Sequence, residues 1–175
     1  MSNISTTAYE SKNQIDFKTA FFYLFIFLAS AMIIALLAFL LSANNLFDFI
    51  VNNEPTFSLS SNLLKYLTLI ALDFVGLATY LMWFSHYTNK RPKNEIHENF
   101  IHLGIDLILF LLYPLFTFGL TLPIVGCCIL GVLIGYSIYL TYRYYNSSIG
   151  AGIFMTVWTL WLMYLFVLNF AFCLL

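Results

Sequence analysis

The chain has 175 residues, of which 62% are hydrophobic and 9% charged, and its formal net charge is −1. A soluble domain carries about 25% charged residues, so this composition excludes an ordinary soluble fold. With 7 Lys and Arg in total, the chain lacks the basic patch that binding to nucleic acid requires.

The chain begins with a polar stretch, residues 1–18, which we predict to be a tail outside the membrane domain. The first apolar run, residues 19–41, carries no charge and is long enough to cross a bilayer, which takes roughly 20 residues. Residues 42–62 are too polar for lipid and form a predicted external loop. A second apolar run covers residues 63–86 and contains Asp73.

Three more apolar runs follow a charged break around residues 87–99. They cover residues 100–119, 122–142 and 150–175. Because only helices and closed barrels satisfy backbone groups in lipid, and these runs are too long and uniform for barrel strands, we predict helices. The sequence therefore predicts an all-α integral membrane protein, a single five-helix bundle over residues 19–175.

The basic residues predict the orientation of this bundle. With five spans, the N-terminal tail and the loops after spans two and four share one side. All basic residues except Lys65 fall on that side, and positive residues favour the cytoplasm. We expect a cytoplasmic N-terminus, an external first loop and an external C-terminus.

Away from the ends of the predicted spans, three ionisable residues stand out: Asp73, His102 and Asp106. Asp106 follows His102 by four residues, which places both on one helix face. Ionisable groups in a membrane are costly and mark functional sites by default, here a cavity or a proton-linked site. The alternative is a hydrogen-bonded carboxyl that joins two helices.

Span five carries an aromatic and polar face. At about 100° per residue, Trp158, Trp161, Leu165 and Asn169 align along one side of the helix. Two indoles and an amide could stack on a planar ligand and bond to it. They could equally pack and hydrogen-bond within the bundle.

Two further patterns concern helix ends and helix contacts. Tyr142, Tyr144 and Tyr145 beside Arg143 are typical of an aromatic belt at the membrane interface. Gly131 and Gly135 form a GxxxG pattern, which favours close helix contact within the bundle or between subunits.

Catalysis is not indicated by the sequence. It contains no HExxH, GxSxG or phosphate-binding loop, and its three cysteines lack CxxC spacing. We predict a protein that is not an enzyme, holds no metal and has no obligatory cofactor.

Several segments of the chain form a set of related patterns. Residues 46–50 read LFDFI, residues 54–57 read EPTF and residues 113–119 read YPLFTFG. In the fifth span, residues 157–161 read VWTLW, and Leu168 and Asn169 follow. These segments resemble the TspO/MBR family, the tryptophan-rich sensory proteins that include the mitochondrial translocator protein. The corresponding family patterns are W-Y-x-x-L and K-P-x-W in the first loop, W-x-P-x-F-F-G in the third helix, and P-Y-x-x-W and L-N in the fifth. The resemblance extends from about residue 20 to the end.

This resemblance implies a ligand cavity inside the bundle, roofed by the first loop. The ligands would be tetrapyrroles, and in some members sterols or isoquinolines, and dimers are common in the family. The implied lid residues are Phe47, Pro55 and Phe57, and the implied wall residues are Tyr113, Pro114, Trp158, Trp161 and Asn169. Glu54 replaces the family's loop lysine, which disfavours anionic ligands by charge reversal.

Three functions follow as hypotheses. The leading one is a sensory or transport-related protein that binds a planar apolar small molecule. The second is a proton- or ion-coupled transporter that uses Asp73 and Asp106. The third is a structural or assembly subunit without a ligand. The expected partners are the lipid bilayer, such a ligand and a second copy of the chain, and the expected location is a bacterial inner membrane.

Overall fold

The computed structural model describes residues 17–42, 59–88 and 93–174, and these parts contain five long helices and no strand. The helices are α1 (Phe17–Ser42), α2 (Ser61–Thr88), α3 (Lys93–Pro114), α4 (Pro123–Ser147) and α5 (Ile149–Leu174). All five are long and apolar enough to cross a membrane. The predicted fold class is therefore confirmed.

The helices continue past the apolar runs into polar sequence. α3 begins at Lys93 and carries Glu95 in its first turn, where a negative charge is favoured by the helix dipole. α4 extends to Ser147, and only Ser148 separates it from α5. The extended backbone of Ser148 ends α4, and its N–H donates to the Tyr144 carbonyl at 2.8 Å.

The five helices close into a ring in the order α1, α2, α5, α4, α3. Each helix packs against its two neighbours in this ring, and α3 returns to α1. The core is filled mainly by α2, α4 and α5, whose fully buried side chains include Leu72, Met82, Leu133, Leu140 and Leu162. Among the described side chains of α1, the buried hydrophobic ones are three alanines: Ala31, Ala35 and Ala38.

A π-helical turn, Leu115–Gly119, joins α3 to the start of α4. Pro114 precedes it and cannot donate a backbone hydrogen bond, and the Leu120 N–H bonds to the Leu115 carbonyl five residues back at 2.9 Å. Thr121 then takes a positive φ of 54°. α4 packs directly on this turn, since a Cβ at Gly126 would overlap the buried Thr117 side chain.

A polar clasp holds α3 and α4 together at the Lys93 end of the bundle. The guanidinium of Arg143 donates to Asn99 Oδ1 at 2.8 Å, to Glu98 Oε2 at 2.9 Å and to the Tyr139 hydroxyl at 3.1 Å. A planar group with five donors suits such a triple contact.

The predicted tyrosine belt is wrong for one of its three members. Tyr142 and Tyr145 are exposed, but Tyr144 is 0% exposed, and its hydroxyl lies 3.3 Å from Thr79 Oγ1. Consecutive residues on a helix point in different directions, so a cluster of three tyrosines cannot all face the interface.

Candidate ligand-binding site

The fifth helix turns its predicted face inward. Trp158 is 0% exposed, Leu165 and Asn169 are buried, and Trp161 is half-buried. The Trp158 indole donates to Asp106 Oδ2 at 3.0 Å and meets the Phe110 ring edge to face at 5.0 Å. Trp158 therefore packs against α3 rather than facing an open chamber.

Trp161 and Asn169 lie further along the same helix. The Trp161 ring stacks on Tyr164 at 5.2 Å, and its buried N–H has no hydrogen-bond partner among the described residues. Asn169 donates to the Pro123 carbonyl at 3.0 Å, which fixes α5 against the first turn of α4. Its side-chain oxygen is likewise buried without a described partner.

Tyr113 and Pro114 line a small apolar cavity, which we call the upper pocket. It measures about 50 Å³ and lies between the end of α1, the start of α2 and the end of α3. Leu165 of α5 also lines it. The remaining lining side chains are Ala38, Phe39, Leu64, Lys65, Thr68, Phe110 and Phe118. Trp158 does not line the upper pocket, but its ring packs against Phe110, which does.

A larger cavity, which we call the lower crevice, lies along the same seam. It measures about 230 Å³ and is lined by α1, α2 and α3, with Ala31, Thr79 and Leu107 among its walls. On each of the three helices, the nearest lining residues of the two cavities are about one turn apart, so the two cavities follow a single α1–α2–α3 seam. The seam is almost entirely apolar.

The predicted lid residues Phe47, Pro55 and Phe57 lie outside the described residues. Their segment connects Ser42 at the end of α1 to Leu59 before α2. These are the two helix ends that border the upper pocket.

Asp73 is half-buried and lies off the inward face of α2. The buried residues Leu72, Val75 and Met82 mark the inward face. Asp73 shares its stripe instead with Tyr66, which is 64% exposed, and with Phe84. The structure therefore does not bring Asp73 together with His102 and Asp106.

His102 and Asp106 occupy one face of α3, as their spacing predicts. Asp106 is 0% exposed, and its Oδ1 accepts no hydrogen bond from any described residue. The half-buried His102 hydrogen-bonds through Nδ1 to the Tyr136 hydroxyl of α4. Asp106 thus joins α3 to α5, and His102 joins α3 to α4.

Three residues that matter here were missed by the sequence reasoning: Phe110, Tyr136 and Ser137. Phe110 stands one turn before Tyr113 and could have been found by extending the inward face of α3. Ser137 lies on the buried α4 stripe between Leu133 and Leu140. Tyr136 sits beside that stripe, and only its contact with His102 reveals it.

Gly131 and Gly135 lie on the outer surface of α4. A Cβ at Gly135 would meet nothing within 4 Å, and one at Gly131 would meet only the Phe166 ring at 3.8 Å. Close contact inside the bundle is therefore not their role. The alternative of contact between subunits stays a prediction.

The fold and these contacts define an integral membrane protein with five helices and an aromatic interior. The TspO/MBR family model matches residues 25–175, and the chain belongs to this family. Comparison with curated proteins and with solved structures gives no significant match.

Proposed function

We propose that this protein binds a planar or elongated apolar small molecule in the upper pocket and the adjoining lower crevice, in a sensory or transport-related role without catalysis. The main support is the position of the upper pocket. Tyr113 and Pro114 line it, and it borders the two helix ends that the predicted lid segment connects. A tetrapyrrole-like molecule, a sterol or an isoquinoline matches this chemistry.

The cavities must enlarge to hold such a molecule. Ligand pockets measure about 300–1,000 Å³, whereas the upper pocket measures about 50 Å³ and the lower crevice about 230 Å³. α1 is the element best suited to move, because alanines fill its described buried hydrophobic positions and a methyl group buries little area. Displacement of α1 from α3 would join the two cavities.

The α5 residues would then act as a rigid back wall. Trp158 supports Phe110, and Asn169 fixes α5 to α4 one turn beyond Leu165, which lines the upper pocket. In this arrangement Trp158 and Trp161 report on the ligand by fluorescence, even where they do not touch it.

Titration of the purified protein in detergent with a porphyrin, a sterol and an isoquinoline tests this function. Binding would give saturable quenching or a spectral shift of tryptophan emission. Ala38→Phe fills the upper pocket and should abolish the response, while the control Leu40→Phe adds bulk on the exposed side of α1 and should preserve it. The absence of a saturable response with all three ligand classes would refute the binding function.

The homodimer is also a proposal, and Asp73 supports it. An Asp near the centre of a membrane-spanning helix costs about 2.5–3.5 kcal/mol on insertion scales, whereas the exposed glycines Gly131 and Gly135 of α4 carry no comparable cost. In a dimer with a two-fold axis along the membrane normal, residues at the same depth in the two subunits face each other. Pairing through α2 would therefore bring the two Asp73 carboxyls together, able to share a proton.

Cysteine crosslinking in membranes tests this pairing. Asp73→Cys should give a disulfide-linked dimer, and Val132→Cys on the outer surface of α4 is the matched control. Efficient crosslinking at residue 132 and none at residue 73 would instead assign the interface to α4.

We further propose that the N-terminus is cytoplasmic and the membrane is a bacterial inner membrane. The positions of Lys90, Arg91, Lys93 and Arg143 support this orientation, because they share one side of a five-span bundle. Accessibility of a cysteine introduced near the N-terminus to a membrane-impermeant reagent, in intact and in lysed cells, checks it.

A further inference from the structure

Three ionisable residues of α3 form a ladder that runs from the membrane surface into the bundle. Glu98, His102 and Asp106 follow one another at four-residue spacing, which stacks them on one helix face about 6 Å apart. Their burial rises along the ladder: the Glu98 side chain is 58% exposed, His102 is half-buried, and Asp106 is 0% exposed. Such a gradient connects an aqueous surface to a dry interior.

The deep end of the ladder is a carboxyl with unused hydrogen-bonding capacity. Trp158 satisfies Asp106 Oδ2, whereas Oδ1 is buried without a partner among the described residues. The Ser137 hydroxyl lies beside this carboxyl. A buried carboxyl is either protonated and neutral or ionised and poorly compensated, so the two protonation states of Asp106 differ strongly in electrostatic energy.

The middle of the ladder can pass a proton. His102 Nδ1 is hydrogen-bonded to the Tyr136 hydroxyl of α4, and Tyr136 is also close enough to Asp106 to interact with it electrostatically. An imidazole can accept a proton at Nε2 and release another from Nδ1. The phenol would pass that proton on to Asp106, so one proton enters the ladder and one reaches the carboxyl.

The outer end of the ladder lies at the polar clasp between α3 and α4. Glu98 bonds to Arg143 through one carboxylate oxygen, and Arg143 also holds the Tyr139 hydroxyl. The Tyr139 ring lies edge to face with His102 at 5.3 Å. The contacts between α3 and α4 therefore run from the surface to His102, and the last of them is made by the Tyr139 ring.

From these contacts we propose that Asp106 is a reversible proton-binding site, loaded from the Lys93 end of the bundle through Glu98, His102 and Tyr136. Proton binding there needs no ligand, so it stands independently of the proposed ligand function. It changes the charge of the group that holds Trp158, and hence the environment of that indole. Among the described residues, the groups that face Asp106 are Tyr136, Ser137 and Tyr144 on α4 and Trp158 on α5. His102 lies four residues before it on its own helix.

Fluorescence of a protein with Trp158 as its single tryptophan tests the proposal. Trp83→Phe and Trp161→Phe remove the other two indoles, and emission is recorded across about pH 4 to 9, the range in which carboxyl and imidazole groups titrate. We expect a reversible step in tryptophan emission as the pH changes. A pH-indicator dye should record the uptake of one proton by the protein over the same step. The step should disappear in Asp106→Asn, whose amide keeps an acceptor for the indole.

Two further variants control for misfolding of Asp106→Asn. They also distinguish the proton-binding site, Asp106, from the residues that would carry the proton to it. Asp106→Glu keeps an ionisable group and should retain the step at a shifted midpoint. His102→Phe should leave the midpoint near that of the parent but slow the approach to equilibrium after a pH jump several-fold. A parent protein without a step, or a step that persists in folded Asp106→Asn, would overturn the proposal.

Discussion

The two sides of the bundle are built differently. Along the α1 side, alanines and apolar chains meet across two cavities, while the interior between α3, α4 and α5 is filled with side chains and crossed by their hydrogen bonds. Helices in lipid gain little from apolar contact with each other, so close packing and polar contacts must hold them. The difference suggests a fixed half, α3–α4–α5, and a movable element, α1.

The largest effect should come from removing the indole at the centre of the fixed half. Trp158→Ala leaves a large cavity and deprives Asp106 of its donor, and large-to-small core changes of this kind cost about 3–5 kcal/mol. Thermal unfolding in detergent measures the loss. Trp83→Ala, which removes a half-buried ring packed on Tyr23 of α1 at 4.4 Å, should cost clearly less; equal losses would argue against a division into halves.

A methyl group added where α4 meets the π-helical turn should have the next largest effect. Gly126→Ala drives a Cβ into the Thr117 side chain, and overpacking of this kind costs about 1–3 kcal/mol. Gly135→Ala is the control, since open space surrounds that position. A melting temperature unchanged by Gly126→Ala would mean that the π-helical turn shifts to accommodate the added methyl group at little cost in stability.

The same substitution on the two sides should have opposite signs. Ala31→Leu extends into the lower crevice, and filling a cavity stabilises by about 0.5–2 kcal/mol. Ala151→Leu, at a fully buried α5 position that lines neither cavity, should destabilise by about 1–3 kcal/mol. Two losses of similar size would show that the crevice closes in the membrane and that α1 is packed like the other helices.

The smallest effect should appear at the clasp. Glu98→Gln removes one charge from an exposed ion pair with Arg143, and such pairs contribute about 0.2–1 kcal/mol. The difference from the parent protein should shrink further in high salt, because salt screens exposed charges. A loss that persists at high salt would show that the pair is screened from solvent by its surroundings.

The helices and the inward face of α5 could be predicted from the sequence, because both follow from local pattern. An apolar run of sufficient length must be helical in lipid, and Trp158, Leu165 and Asn169 align by helical periodicity alone. No tertiary information is needed for either. The family could likewise be identified from the residues of the third and fifth spans.

The direction of Asp73 and the partner of Asp106 could not be predicted in this way. α2 is apolar around most of its circumference, so the sequence places Asp73 at a depth but not on a side. The Trp158–Asp106 bond joins residues 52 apart in the chain, and it depends on how α3 and α5 meet. The π-helical turn similarly reflects packing of α4 on Thr117 as well as the presence of Pro114.

The single residue between α4 and α5 has a practical consequence for mapping this protein in cells. A connection made by Ser148 alone offers no loop to a protease, an antibody or an inserted tag. An epitope placed there would pull two packed helices apart before it could report a side of the membrane. Topology experiments should therefore place their labels near the N-terminus or in the 89–92 connection.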